Sequence, residues 1–275
     1  LPGHLEAYFR MLEDFHPQAV ISDFESWSYL FAKAHNLPVF SIDNMQVINR
    51  CEIPRELLKG ARKDFELARA FIQGKLPGCD HYFVTTFFHP PIDKRRTSLH
   101  YPILRPEILE AEVERGDHLL VYQTAEGNNE LTRVLAGSGL ECRIYGMRRD
   151  LTEEQREGKL RFMPFSEAGF IRDLATSRAV LTGGGFTLMS EAVTLHKPIL
   201  SVPIEDHFEQ LLNGRYLQHV GYGHTADEVD DKVLGAFLEA LPDCEEALSG
   251  YHHDGNKELF DAVNEHLDLT AVGYY

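Results

Sequence analysis

The sequence has 275 residues, of which 43% are hydrophobic and 25% charged, a composition typical of globular proteins and far from that of disordered ones. Its net charge of −16 argues against nucleic acids and anionic lipid surfaces as partners, because an acidic surface repels polyanions. The four cysteines are widely spaced, which argues against a zinc site or a disulfide framework and favours reduced thiols in a cytoplasmic protein. No apolar run reaches the roughly 18 residues that a transmembrane helix needs, and the amino terminus has no signal-peptide pattern.

Segments with the periodicity of strands and of helices alternate along the chain, which predicts parallel sheets covered by helices. In the first half, the predicted helices are residues 4–15, 27–36 and 55–75, and the predicted strands are residues 19–24, 38–43 and 81–88. In the second half, the predicted strands are residues 118–123, 141–147, 160–165, 178–184 and 198–204. The predicted helices there are residues 128–139, 167–177, 186–196, 208–221, 228–241 and 256–267.

Prolines interrupt the alternation between the two halves, and Pro102 and Pro106 stand where a linker between domains is expected. The pattern therefore predicts an α/β protein with two Rossmann-like lobes. Residues 1–103 form the first lobe, which is too short to be complete, and residues 104–250 form the second. Residues 251–275 are expected to form a C-terminal helix that packs back on the first lobe.

Three consecutive glycines, Gly183 to Gly185, separate the strand "AVLT" from a predicted helix that begins near Phe186. In a doubly wound sheet, ligands bind at the carboxyl ends of the strands, beside the helices that follow. Glycines there let a diphosphate approach the main chain, and the helix N-terminus offers unpaired N–H groups. The alternative is a flexible turn with Thr182 or Thr187 as the helix N-cap.

Two further polar groups accompany this turn. Glu191 lies one turn into the helix, where a carboxylate can accept hydrogen bonds from a ribose diol; the alternative is an ordinary solvated glutamate. The second group, "EDHFEQ" from Glu205 to Gln210, begins the next helix. Asp206 and Glu209 have the spacing of a capping box, and the surplus polar groups would suit sugar hydroxyls. A metal site is a third interpretation, disfavoured because no second histidine lies at ligand spacing nearby.

The stretch "TGGGFTLMSEAVTLHKPILSVPIEDHFEQLLN" resembles the donor-binding signature of GT-B glycosyltransferases of families 1 and 28. These families include the plant secondary-product glucosyltransferases and the bacterial lipid II synthase. The glycine turn, the Ser-Glu pair, the Lys-Pro and Val-Pro pairs and the Gln-x-x-Asn spacing all keep the family order. The resemblance implies a GT-B fold with parallel sheets in two Rossmann-like lobes, with the N-terminal lobe incomplete and residues 104–250 binding the nucleotide-sugar donor.

The resemblance also assigns roles to individual residues. It implies that the diphosphate is held by Gly184, Gly185, Phe186 and Thr187, the ribose by Glu191, and the donor sugar by Glu209 and Gln210. It further implies phosphate-side contacts from Thr124, Gly127 and Asn128 in "VYQTAEGNN", and contact with the base through main-chain groups near Phe165 in "RFMPF". The chain departs from the plant pattern in having Gly183 instead of histidine at the start of the turn. Two additional residues between Pro203 and Asn213 make the alignment there uncertain.

A sugar transfer that inverts the anomeric centre needs a base for the acceptor hydroxyl. In the family this base is a histidine on the first glycine-rich loop of the first lobe, and this sequence has no matching segment. Asp23, after the strand "AVIS", matches the aspartate that orients that histidine; its alternative role is an N-cap for the helix near Trp27. We therefore expect this chain alone to bind a nucleotide sugar and to turn over poorly.

The sequence thus predicts a metal-independent, inverting glycosyltransferase of the hexosyltransferase type that needs no cofactor and uses a nucleotide-sugar donor, with UDP favoured by the resemblance. A small-molecule acceptor and a lipid-linked acceptor both stay open, the second with peripheral attachment to a membrane. Two alternatives also stay open: a UDP-sugar epimerase of the same architecture, and a non-catalytic nucleotide-sugar-binding protein.

Overall fold

The structure is a computed structural model that describes residues 15–123 and 129–275. The predicted helix at residues 4–15 lies almost entirely outside these ranges. The strands are β1 Val20–Ser22, β2 Val39–Asp43, β3 His81–Thr85, β4 Thr97–His100, β5 His118–Tyr122, β6 Glu141–Tyr145, β7 Gln155–Glu157, β8 Leu160–Phe162, β9 Ala179–Thr182, β10 Ile199–Ser201 and β11 Gly223–Thr225. The helices are α1 Ser26–Ala34, α2 Gln46–Arg50, α3 Arg62–Lys75, α4 Pro106–Leu109, α5 Asn129–Gly137, α6 Glu167–Ala175, α7 Phe186–Thr194, α8 Phe208–His219, α9 Asp231–Glu239, α10 Leu241–Leu248 and α11 Lys257–Ala271.

The first lobe contains a four-stranded sheet in the order β1-β2-β3-β4, and all of its pairs are parallel. Its central strands β2 and β3 are almost fully buried, as expected for strands that helices cover on both faces. Because the strands are parallel, their carboxyl ends lie at one edge of the sheet. Ser22, Asp43 and Thr85 end three neighbouring strands at that edge.

The second lobe contains a seven-stranded sheet in the order β11-β10-β9-β5-β6-β8-β7, in which only the β7–β8 pair is antiparallel. The strand order reverses at β5, which pairs with β6 on one side and with β9 on the other. This reversal opens a crevice at the carboxyl ends of β5 and β9, where ligands of doubly wound sheets bind. The predicted architecture of two Rossmann-like lobes with parallel sheets is confirmed.

Aromatic stacking and hydrogen bonds join the lobes. The rings of Phe88 and Tyr216 stack with centroids 3.9 Å apart, and the ring of Phe87 stacks on that of Phe186 at 5.9 Å. The C-terminal helix α11 buries Leu259 and Val263 against the aromatic residues of β2 and β3. None of the helices in the described ranges combines the length and apolarity needed to cross a bilayer.

Three histidines lie at the contact between β3, β4 and α11. Nε2 of His81 is 2.9 Å from Oγ of Ser98, which in turn is 2.6 Å from Nε2 of His100. The His81 ring also contacts the tilted ring of His266, with their centroids 4.3 Å apart. Burial, reinforced by the neighbouring imidazoles, lowers the pKa of His81 to about 4. His81 therefore stays neutral in the folded protein at pH values where it would be protonated in the unfolded chain.

This difference predicts a loss of stability on acidification. Between about pH 6.5 and pH 4 the unfolded state binds a proton that folded His81 does not, so the free energy of unfolding falls as the pH is lowered through this window. The His81→Leu variant should show a shallower decline than the wild type when urea unfolding is measured at several pH values. His252→Leu, which changes an exposed histidine, should keep the wild-type slope. Equal slopes for wild type and His81→Leu would contradict the assignment.

Candidate functional site

A cavity of about 960 Å³ opens at the carboxyl ends of β5 and β9, where the strand order reverses. Its walls come from the ends of these strands, the glycine turn, the start of α7 and the loops before α4, α6 and α8. The lining residues are Arg105, Tyr122, Gln123, Tyr145, Gly146, Arg148, Arg149, Met163, Phe165, Ser166, Glu167, Phe170, Thr182, Gly183, Gly185, Phe186, Thr187, Leu188, Glu191, Ile204 and Gln210. A volume of this size accommodates a ligand as large as a nucleotide sugar.

The glycine turn presents bare main chain to this cavity. Gly185 is the N-cap of α7, so the capping position has no side chain, and the predicted start at Phe186 is confirmed. The alternative in which Thr182 or Thr187 caps the helix is wrong. Gly184 has a φ of +88°, and a Cβ there would come within 2.9 Å of Oγ of Ser201. Gly184 therefore shapes the turn and does not line the cavity, whereas Gly185 does.

Glu191 is buried in the cavity wall, with 3% of its surface exposed, so the alternative of a solvated glutamate is wrong. Its two carboxylate oxygens accept hydrogen bonds from Arg105, one from Nε at 2.9 Å and one from Nη2 at 3.1 Å. Nη1 of Arg105 also donates to Glu167 at 2.6 Å. Burial raises the pKa of Glu191, and the guanidinium of Arg105 opposes this rise.

The segment before α8 differs from the predicted capping box. His207 is the N-cap of α8 without a side-chain hydrogen bond, and Asp206 has a φ of +64°. Gln210 lines the cavity and accepts a hydrogen bond from the main-chain N–H of Ile204 at 3.1 Å. Glu209 lies outside the lining residues, and burial raises its pKa. Within the described ranges, no group of three or more His, Cys, Asp and Glu side chains is placed to hold a metal ion.

Aromatic side chains form a further part of the cavity wall. Phe165 lines the cavity with 95% of its surface exposed. The ring of Phe170 packs edge-on against Tyr145 at 5.0 Å and against Tyr122 at 5.8 Å. Sequence reasoning identified Phe165 and missed the other aromatic residues and Arg105. Tyr122 ends the strand at the reversal point and could have been found from the predicted topology; Arg105 has no such signature.

Asp23 lies apart from this cavity, at the strand edge of the first lobe. It is exposed, and the N-cap of α1 is Glu25, whose side chain accepts from the N–H groups of Trp27 and Ser28. The alternative of Asp23 as the N-cap is therefore wrong. Burial raises the pKa of the neighbouring Asp43 to about 6, and the negative charges of Asp23 and Glu209 contribute to the rise.

The remaining predicted phosphate contacts, Thr124, Gly127 and Asn128, lie outside the described residues.

A family model described as "Glycosyl transferase family 1" matches residues 1–242 of the chain. The chain belongs to this glycosyltransferase family. This membership agrees with the resemblance seen in the sequence at the glycine turn, at Glu191 and in the segment before α8. None of the curated proteins matches the chain.

Solved structures of several glycosyltransferases superpose on the chain. The kitacinnamycin glycotransferase superposes with a TM-score of 0.63 at 15% identity, covering 96% of this chain and 80% of its own. LpCGTa in complex with UDP gives 0.62 at 14% identity, covering 94% and 79%. The spinosyn rhamnosyltransferase SpnG complexed with thymidine diphosphate gives 0.59 at 16% identity, covering 94% and 76%. At this level of identity the likeness establishes the fold, and the glycosyltransferase chain has the predicted GT-B architecture.

The two glycines of the turn should respond differently to an added methyl group. Gly184→Ala places an alanine at a left-handed φ, and its Cβ would lie 3.0 Å from the main-chain oxygen of Gln210. We therefore expect this substitution to lower the free energy of unfolding by about 2 kcal/mol or more. Gly185→Ala meets nothing within 4 Å, and its loss should stay below about 1 kcal/mol. Urea unfolding of both variants measures the difference. Equal losses would show that Gly184 does not hold the turn.

Proposed function

We propose that this glycosyltransferase transfers a sugar from a nucleoside-diphosphate donor, with UDP favoured, to an acceptor hydroxyl, with inversion and without a metal ion. One observation carries the proposal: the side-chain-free N-terminus of α7 and the buried Glu191 face one cavity at the point where the strand order reverses. That position suits a nucleotide in a doubly wound sheet.

The donor diphosphate is assigned to the N-terminus of α7. Gly185, Phe186 and Thr187 line the cavity, and the first N–H groups of a helix carry partial positive charge. This charge stabilises the pyrophosphate as the bond to the sugar breaks, which is the task that a metal ion performs in other enzymes. Gly184 contributes by holding the turn. Thr124, Gly127 and Asn128 are assigned to phosphate contacts by the family resemblance.

The other parts of the donor are assigned to the surrounding walls. Glu191 is assigned to the ribose, Phe165 to the base, and Gln210 with Glu209 to the hydroxyls of the sugar. The exposed Phe165 and the neighbouring aromatic rings suit a flat base. The UDP complex of LpCGTa and the thymidine diphosphate complex of SpnG support a pyrimidine nucleotide.

The acceptor is assigned to the cleft beside the first lobe, and it is a small molecule or a lipid-linked hydroxyl compound. Asp23 is assigned the orientation of a histidine base, and this sequence contains no histidine that matches the one in the family pattern. We therefore expect these 275 residues to bind the donor and to transfer its sugar slowly.

Nucleotide binding tests the donor site directly. We expect calorimetric titration to show tighter binding of UDP than of GDP or dTDP. Gly185→Ala should weaken UDP binding about ten-fold or more, because its methyl group displaces the diphosphate from the main chain while leaving the fold intact. Gly235→Ala is the matched control: it adds a methyl group within α9, remote from the cavity, where nothing lies within 4 Å.

Two outcomes would contradict the proposal. If none of the three nucleotides binds, the proposed donor site is wrong and only the fold stands. Equal UDP affinities for the Gly185→Ala and Gly235→Ala variants would show that the diphosphate does not bind at the N-terminus of α7. Product analysis of UDP-sugars incubated with and without acceptor hydroxyl compounds then separates transfer from epimerisation, which needs no acceptor.

A further inference from the structure

Arg105 makes the closest polar contacts of the carboxylate assigned to the ribose, although it lies in the linker between the lobes. Its Nε and Nη2 atoms donate to the two oxygens of Glu191 at 2.9 and 3.1 Å. Its Nη1 atom donates to Glu167, at the start of α6, at 2.6 Å. The guanidinium thus pairs with the carboxylate of Glu191 and is itself held by the carboxylate of Glu167.

The main chain of the linker fixes where this guanidinium stands. The N–H of Leu104 donates to Oδ1 of Asn256 at 2.9 Å, and Nδ2 of Asn256 donates to the carbonyl of Leu104 at 2.8 Å. Asn256 is 92% buried, since only 8% of its surface is exposed. Pro106 follows Arg105 and restricts it to the extended conformation that it adopts, with φ −69° and ψ 149°. Arg105 is therefore positioned before any ligand arrives.

The geometry of the pair leaves the carboxylate able to bind a ligand. Each carboxylate oxygen can accept two hydrogen bonds, and Arg105 occupies one on each oxygen. The planar guanidinium fixes both oxygens at once, so the carboxylate cannot rotate freely. Two acceptor positions remain on a side chain that lines the cavity, which is the number that the two hydroxyls of a ribose require.

We infer that Arg105 is a positioning residue that holds the Glu191 carboxylate for the 2′- and 3′-hydroxyls of a ribose, so that the site selects ribonucleoside diphosphates over their 2′-deoxy counterparts. This inference rests on the proposed function, since it requires that the cavity bind a nucleotide. It adds Arg105, which stands beside Pro106 in the linker segment, to the residues that the family resemblance assigns to the donor site.

The test compares UDP with 2′-deoxyuridine 5′-diphosphate, which differ only in the 2′-hydroxyl. Calorimetry on the wild-type chain should show about ten-fold or greater preference for UDP, because an unmatched hydrogen bond to a charged group costs at least this much. In Arg105→Met and Arg105→Lys the preference should fall to about two-fold or less, since neither side chain can hold both oxygens. Arg115→Met is the matched control, because Arg115 pairs with Glu245 on the surface outside the cavity; it should keep the wild-type preference.

The pH dependence provides a second measure, which a purely structural role would not change. Arg105 opposes the rise that burial and the charge of Glu167 impose on the pKa of Glu191. In Arg105→Met that pKa should rise further, so the affinity for UDP should fall on acidification at higher pH than in the wild type. The same pH profile for both proteins would overturn the role of Arg105.

The remaining outcomes separate this inference from the proposed function. Equal wild-type affinities for the two nucleotides would overturn the inference and leave nucleotide binding intact. Absence of binding to both would overturn the two together. If Arg105→Met does not fold, as judged by its thermal unfolding, the wild-type ratio and Arg105→Lys still decide, and a wild-type preference in folded Arg105→Lys would overturn the inference.

Discussion

The site depends on the main chain at Gly184. Its φ of +88° turns the chain from the end of β9 into α7, while Ser201 and the main chain of Gln210 lie within about 3 Å of where a side chain would begin. The buried side chain of Asn213 donates to the carbonyl of Gly184 at 3.4 Å. The turn is therefore held by the two elements that follow it, β10 and α8. Because α7 starts immediately after this turn, the direction of its N-terminal N–H groups and the position of Glu191 follow from it.

The charge distribution explains how an acidic chain can provide a site for an anion. The chain has a net charge of −16, yet Arg105, Arg148 and Arg149 line the cavity beside the positive end of α7. Arg148 also contacts Glu157 and stacks on Phe162, so part of its charge is already balanced. A ligand at the cavity wall would meet these local dipoles and cations directly, whereas the net charge acts over longer distances that salt screens.

Sequence patterns predicted the elements that carry strong hydrophobic periodicity, and with them the glycine turn at the reversal of strand order. They did not predict β4, β7 and β11, which have only three or four residues, and β7 is exposed throughout. Such strands are defined by pairing with a neighbour, and apolar content does not mark them. The capping box at Asp206 failed because Asp206 itself adopts a left-handed conformation, and the N-cap of α8 is the next residue, His207.

The role of Arg105 could not be read from the sequence, because it arises from three segments that meet only in the folded chain. Arg105 comes from the linker and Glu191 from α7. Asn256 comes immediately before α11 and forms two hydrogen bonds with the main chain of Leu104, the neighbour of Arg105. A buried carboxylate without a cation would be strongly disfavoured, so the position of the linker and the charge state of Glu191 are coupled. The α11 helix also packs on the first-lobe sheet through Leu259 and Val263. The cavity is therefore shaped by contacts that extend through the linker and α11 to the first lobe.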